Sequence, residues 1–157
     1  MRTNDLWTFY NADREEQILE AADAILRKRL FRQGKIGEPT DATRYLRAHL
    51  AHLEHEVFGA VFLDTRHQIL AVEDLFRGTV DGAEVHPREV AKRALHHNAA
   101  ALIIYHNHPS GNPEPSAADR AVTARLKQAL SLLDIRLLDH FVIAGETYSS
   151  LAARGWI

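Results

Sequence analysis

The stretch AAALIIYHNHPSGNPEPSAAD, residues 99–119, joins an apolar run to two histidines, a proline-rich turn and the start of a helix. Residues 100–105 have the length and apolar content of a buried strand. Gly111 and the prolines around it turn the chain sharply, and Ser116 can cap a helix that continues to about residue 133. The stretch therefore predicts a strand, a tight turn and a helix in direct succession.

The two histidines sit where they can share a ligand. In a strand, residues i and i+2 point to the same side, so His106 and His108 would present two imidazoles on one face, with Cα atoms roughly 7 Å apart. Pro109 keeps His108 extended. Asp119 lies one turn into the helix, from where its carboxylate can swing back. Two neutral imidazoles and a carboxylate form a zinc set that leaves a fourth position for water, as catalytic zinc sites do.

Ser116 and Asp119 also have an interpretation without chemistry. Serine is a preferred N-cap, and an acid three residues later occupies the capping-box position. Two histidines separated by one residue also occur often by chance. The coincidence of strand, histidine pair, turn and acid-bearing helix start favours a metal site, but on the residues alone both interpretations stay open.

The rest of the chain predicts helices and strands that alternate only in part, which favours a mixed sheet flanked by helices. Pro87 suits the first turn of a helix. Leu19, Leu95 and Leu133 are among the residues expected to face the core. The predicted elements are helices at 13–32, at 40–53 with Thr40 or Asp41 as cap, from 87, and at 116–133; strands at 56–64, 69–76, 83–85, 100–105 and within 135–151; and a linker at 33–39.

The composition excludes several classes of protein. The 157 residues are 46% hydrophobic and 25% charged, which is ordinary for a soluble domain. A net charge of −2 argues against a dominant nucleic-acid or lipid surface, and the absence of cysteine removes disulfides and thiolate chemistry. No secretory signal and no apolar run of membrane-spanning length is evident. We therefore expect a cytoplasmic protein with no membrane contact.

The histidine-rich stretch resembles a known signature. HNHP followed by SGNPEPSAAD matches HxH, seven residues, Ser, two residues and Asp, the pattern of JAMM/MPN-type metalloproteases. Its surroundings are similar to the RadC family: LFRGTVDGAEVHPREVAKRALHHNAAALIIYHNHPSGNPEPS, LLDHFVIAG and the terminal ARGWI. The resemblance implies an α/β fold of JAMM/MPN (cytidine-deaminase-like) type, a mixed β-sheet flanked by helices, over residues 40–157. Residues 1–39 would form an N-terminal helical extension.

The resemblance also implies roles for particular residues. His106, His108 and Asp119 would hold one zinc ion per chain, and the Ser116 hydroxyl would stabilise the oxyanion. A glutamate at the start of an upstream strand would be the general base. Glu54, Glu56 and Glu73 are the nearby candidates, and Glu56 matches best because it begins EVFGAVFL.

Asp139 and His140, in LLDHF, belong to the RadC-like pattern. These residues could support the zinc site without binding the metal, because metal-binding histidines commonly donate their second ring N–H to a carboxylate. A structural role at the end of a strand is the alternative.

The implied function is a zinc-dependent hydrolase that cleaves a peptide or isopeptide bond in an unidentified peptide or protein substrate. One alternative is a DNA repair-associated or nucleic-acid-binding RadC-like protein without peptidase turnover, although the net charge and the short segment before Asp41 argue against it. Another is a metal-bound interaction domain that does not turn over.

Overall fold

In the computed structural model, which describes residues 3–32, 39–78 and 84–157, helices lie on both faces of a five-stranded mixed sheet. The α/β class predicted from the sequence is confirmed. None of the described helices is long and apolar enough to cross a membrane. In chain order the elements are α1 (Thr3–Arg32), α2 (Pro39–Leu50), β1 (Val57–Leu63), β2 (Ile69–Arg77), α3 (Pro87–His96), β3 (Ala101–Asn107), α4 (Ala117–Ser131), β4 (Arg136–Ala144) and β5 (Thr147–Ser150).

The sheet has the order β2-β1-β3-β4-β5. Only β3 and β4 run parallel; the other neighbours are antiparallel. A parallel pair needs a crossover connection, and α4 supplies it. Every residue of β1 and β3 is buried, which explains why both read as continuous apolar runs rather than as alternating patterns. The end of β3 therefore lies in the middle of the sheet, beside the start of β1.

Alternation along the strands separates two apolar cores. Ile103 and Tyr105 of β3 pack with residues of α1 and α2, whereas Leu102 and Ile104 pack with residues of α3 and α4. Because His106 continues the even-numbered face, its side chain belongs to the α3/α4 side of the sheet.

Gly59 lets the central strands come together. A Cβ atom at this position would lie 2.4 Å from the Tyr105 ring and 2.5 Å from the Glu73 carbonyl oxygen. Because glycine has no Cβ atom, the Tyr105 side chain can cross β1, and it donates a hydrogen bond to Asp74 Oδ1 at 2.7 Å. A larger residue would force β1 away from β3. It would also displace the segment that leads into β1.

Several details differ from the sequence predictions. Helix α1 begins at Thr3 rather than at residue 13, and α2 begins at Pro39, before either predicted cap. A strand was predicted at 83–85, but residues 84 and 85 are not in a strand, and residue 83 lies outside the described residues. Residues 33–38 of the predicted linker also lie outside the described residues. The division into residues 1–39 and 40–157 stays a prediction.

Three leucines expected in the core are exposed: Leu19 by 41%, Leu95 by 59% and Leu133 by 41%. Periodicity locates a helix's apolar stripe, but each stripe is buried only where a neighbouring element covers it. Helix α1 shows this, because Leu30 is buried while Ile18 and Ile25 face solvent.

His49 links α1 to the sheet. Its Nδ1 lies 2.6 Å from Asp23 of α1, and its Nε2 lies 2.9 Å from Asp74 of β2. Burial opposes the protonation of His49, but hydrogen bonds to Asp74 and Asp23 and the charges of both carboxylates outweigh it and raise the pKa of His49. His49 thus joins α1 to β2, beside the hydrogen bond at 3.1 Å that Arg27 of α1 donates to the Val72 carbonyl of β2.

We expect this contact to weaken with rising pH. A raised folded-state pKa means that its contribution to stability is complete below the unfolded value of about 6.5 and is lost as the pH passes through the folded-state pKa. Urea unfolding of the wild type and of His49→Gln across this range measures the effect as the difference between their free energies of unfolding. His52→Gln, which changes an exposed histidine nearby, serves as control. An equal pH dependence in wild type and His49→Gln would contradict the assignment.

Candidate metal centre

The end of β3 and the start of α4 bring three candidate ligands together. His106 Nε2 lies 3.1 Å from Asp119 Oδ1, and His108 Nε2 lies 3.1 Å from Asp119 Oδ2. The two Nε2 atoms are 2.9 Å apart. His106 is buried, whereas His108 and Asp119 are partly accessible. The three residues that the sequence singled out as ligands thus meet at one point, with one side open to solvent.

The turn between His108 and α4 returns the chain over a short distance. The His108 N–H donates to the Ile143 carbonyl at 2.8 Å, which extends the pairing with β4, and the Gly111 N–H then donates to the His108 carbonyl at 3.1 Å. Gly111 has a φ of 84°, a left-handed conformation that glycine adopts without strain. The turn therefore places the first turn of α4 directly opposite the histidine pair.

Asp119 is both a cap and a member of the cluster. Ser116 Oγ accepts a hydrogen bond from the Asp119 N–H at 3.0 Å, and the Ser116 N–H donates to Asp119 Oδ2 at 2.7 Å. Burial opposes ionisation, but the close contacts with His106 and His108 outweigh it and hold the pKa of the Asp119 carboxyl far below its ordinary value. The capping interpretation and the metal-site interpretation of Ser116 and Asp119 are thus compatible, since one carboxylate has enough lone pairs to cap the helix and to face the histidines.

The donor set fits a divalent cation. His108 Nδ1 lies 2.9 Å from the Asn112 carbonyl oxygen, which can only accept, so Nδ1 carries the hydrogen and a neutral His108 directs its Nε2 lone pair at Asp119. Because the protonated ring would donate a hydrogen bond to Asp119, the pKa of His108 is raised, against the effect of burial. Acceptor atoms that converge in this way require positive charge between them, and two imidazole nitrogens with one carboxylate are ligands that zinc prefers.

A groove of about 320 Å³ leads to the cluster. Phe58, Val85 and Val122 form its apolar part, and Glu56, Arg125 and Glu84 are among its polar residues. A larger cavity of about 710 Å³ lies between α1 and the end of α2, but none of its lining residues belongs to the histidine cluster. Of these two cavities, the smaller one is lined by candidate metal ligands, His106 and Asp119.

The structure distinguishes the three glutamate candidates. Glu56 immediately precedes β1 and lines the groove with His106 and Asp119. The Glu73 carboxylate is hydrogen-bonded to Arg93 of α3 and to His97 just after it, so it is not directed at the histidine cluster. Glu54 is exposed and is not part of the groove lining.

Asn107, which the sequence analysis missed, fixes the backbone around Glu56. Its Oδ1 accepts from the Val57 N–H at 2.7 Å, and its Nδ2 donates to the His55 carbonyl at 2.9 Å. Because side chains alternate along a strand, Asn107 points to the opposite face from His106 and His108. Its position between the two histidines was the feature of the sequence that could have indicated a role for it. Asn107 thus ties the peptide groups on either side of Glu56 to the strand that carries the histidines.

Asp139 and His140 have different surroundings. Asp139 accepts hydrogen bonds from Ser150 Oγ at 2.6 Å and from the Ala152 N–H at 3.0 Å, and so fastens the C-terminal segment. His140 is fully buried, with Nε2 2.8 Å from His106 Nδ1. Burial lowers the pKa of His140 well below its ordinary value, which keeps the ring neutral. Of the two, only His140 touches a candidate ligand.

Comparison with known proteins gives a consistent family. The model of the family described as "RadC-like JAB domain" matches residues 36–156. A UPF0758 protein of Xanthomonas campestris pv. campestris is 58% identical over 139 residues, 88% of this chain and 62% of that protein. A UPF0758 protein of Vibrio cholerae is 54% identical over 143 residues, 91% of this chain and 90% of that protein. The chain thus spans less than two thirds of the Xanthomonas relative, and neither name states an activity.

We expect Asn107→Ala to destabilise the fold, because it leaves the buried Val57 N–H and His55 carbonyl without their partner. An unsatisfied buried group typically costs about 1–3 kcal/mol. Urea unfolding in the presence of a chelator measures this cost apart from any metal. The matched variant Asn112→Ala removes an exposed turn asparagine whose Oδ1 accepts a hydrogen bond from the Glu114 N–H at 3.0 Å, and it should cost less because water can replace that bond. Equal stability of the two variants would contradict the role of Asn107.

Proposed function

The chain belongs to the RadC-like JAB domain family, and on this premise we propose that it is a zinc-dependent hydrolase that cleaves a peptide or isopeptide bond. The observation that carries the proposal is the meeting of His106, His108 and Asp119 at the end of a groove whose wall includes Glu56. A binding domain has no need of a carboxylate beside such a cluster, whereas a hydrolase needs a base there.

Nε2 of His106, Nε2 of His108 and the Asp119 carboxylate would hold one zinc ion per chain. Nitrogen ligands favour zinc over magnesium or calcium, which prefer oxygen. When bound, zinc acts as a Lewis acid that polarises a carbonyl and lowers the pKa of water to about 7. The anionic Asp119 and the neutral imidazoles leave the site with residual positive charge, which suits a reaction that develops an oxyanion.

Glu56 and Ser116 are assigned the remaining roles. The Glu56 carboxylate would take a proton from a water molecule in the groove and deliver it to the departing amine. Ser116 Oγ is an acceptor in its cap, so its own hydrogen is left to donate to the developing oxyanion. One such donor is typically worth about 3–4 kcal/mol of transition-state stabilisation.

Glu56→Gln should bind stoichiometric zinc yet lose hydrolysis, because the amide keeps the shape of the side chain but cannot carry the proton. The expected loss is about 10²–10⁴-fold in rate. Zinc content by elemental analysis and turnover on peptide and isopeptide-linked substrates are measured on the same samples. Glu54→Gln, two residues away and exposed, should leave both unchanged. Wild-type turnover in Glu56→Gln would remove Glu56 from the mechanism.

Removal of the metal separates hydrolysis from the nucleic-acid alternative. A chelator, or His108→Gln, should abolish both zinc binding and substrate cleavage, and added zinc should restore only the chelated wild type. His52→Gln controls for the loss of a histidine outside the cluster. Cleavage that survives chelation contradicts the proposal. DNA binding that is unaffected by chelation, together with no cleavage under any condition, would favour a nucleic-acid-binding protein.

A further inference from the structure

We propose that Thr123 and His140 are positioning residues that fix the tautomer and the orientation of His106, and so set the affinity of the site for its metal. The inference rests on the proposed function, and no comparison assigns a role to either residue. Its basis is a row of three hydrogen bonds, two of them buried and the third part-buried, that runs from His106 to the backbone of α4.

The row consists of short contacts between buried groups. His106 Nδ1 lies 2.8 Å from His140 Nε2, and His140 Nδ1 lies 2.6 Å from Thr123 Oγ1. Thr123 Oγ1 in turn lies 2.6 Å from the peptide carbonyl oxygen of Asp119. The exposed fractions are 4% for His106, 0% for His140 and 1% for Thr123, so water does not compete for these bonds.

The direction of every bond follows from the last acceptor. A peptide carbonyl cannot donate, so the single hydrogen of the Thr123 hydroxyl must point at the Asp119 carbonyl. Thr123 Oγ1 is then an acceptor towards His140, and His140 Nδ1 must carry a hydrogen. A neutral His140 therefore has a lone pair on Nε2, which accepts the Nδ1 hydrogen of His106.

The result at His106 is the tautomer that a metal ligand needs. With its hydrogen on Nδ1, His106 keeps a lone pair on Nε2, and that atom is the one 3.1 Å from Asp119 Oδ1. His108 reaches the same state directly, because its Nδ1 faces the Asn112 carbonyl. His106 faces another imidazole, which can present either a lone pair or a hydrogen, so its tautomer depends on Thr123.

The arrangement also joins the elements that carry the ligands. His140 lies in β4 opposite Ile104, two residues before His106 in the neighbouring strand. Thr123 lies one turn after Asp119 on α4. Phe58 of β1 packs against both rings, at centroid distances of 6.1 Å from His106 and 5.6 Å from His140. The row therefore fixes His106 relative to the helix that supplies the third ligand, within an apolar surrounding.

Loss of the Thr123 hydroxyl should weaken metal binding specifically. Without it, His140 can carry its hydrogen on Nε2 and donate to His106 Nδ1, which moves the His106 hydrogen to Nε2, where the metal must displace it. Loss of a group that orients a ligand typically costs about 10–100-fold in metal affinity. We expect a loss of this size in Thr123→Val, which keeps the shape of the side chain, and near wild-type affinity in Thr123→Ser, which keeps the hydroxyl.

Zinc dissociation constants are measured by competition with a chromophoric chelator, and the unfolding of each metal-free variant is recorded alongside. Equal zinc affinity in Thr123→Val and wild type would overturn the inference. A weakened Thr123→Val without recovery in Thr123→Ser would also overturn it, because the hydroxyl would then not be the group that matters. If wild type itself binds no zinc, the proposed function fails instead, so the two failures are distinguishable.

A second measurement needs no variant. Long-range ¹H–¹⁵N correlation spectra of the full chain report which ring nitrogen of each histidine carries hydrogen, before and after addition of zinc. We expect His140 to be protonated at Nδ1 in both states. A hydrogen on His140 Nε2 would reverse the row and overturn the inference, even if the variants failed to fold.

Discussion

The Asp119 carboxylate is the contact on which the rest of the site depends. Each of its two oxygens lies 3.1 Å from the Nε2 atom of a histidine at the end of β3, and it also completes the capping box of α4. If the Asp119 carboxylate contacted only the histidines or only the helix cap, it could shift its position to follow that one partner. Because the cap fixes the start of the helix and the histidines fix the carboxylate, the ligand geometry and the position of α4 are set by the same atoms.

The two central strands give this contact a rigid base. β1 and β3 are buried throughout, and their close approach needs the missing side chain of Gly59. Asn107 then ties the residues that flank Glu56 to β3. Glu56 and the two histidines are thus held by one strand pair, which is how a site can keep distances that loops alone would not maintain.

Local features of the sequence were predictive around the histidine pair, where each interaction spans only a few residues. The strand, the turn at Gly111, the cap at Ser116 and the helix after it all follow from neighbouring residues, and so does the ligand set that the structure brings together. Predictions that needed a partner element were less reliable. Leu95 lies on the apolar stripe of α3 and Leu133 lies in the turn beyond the end of α4 at Ser131, and both are exposed.

The sequence by itself determined the strand, turn and helix around the histidine pair, because backbone geometry and capping act within one or two turns of chain. Only the tertiary structure decided that Glu56 lines the groove and that His140, rather than Asp139, contacts a candidate ligand. These contacts join residues far apart along the chain, such as His106 with His140 at a separation of 34 and Val57 with Asn107 at a separation of 50. Strand register sets them, and register depends on how the whole sheet packs against its helices.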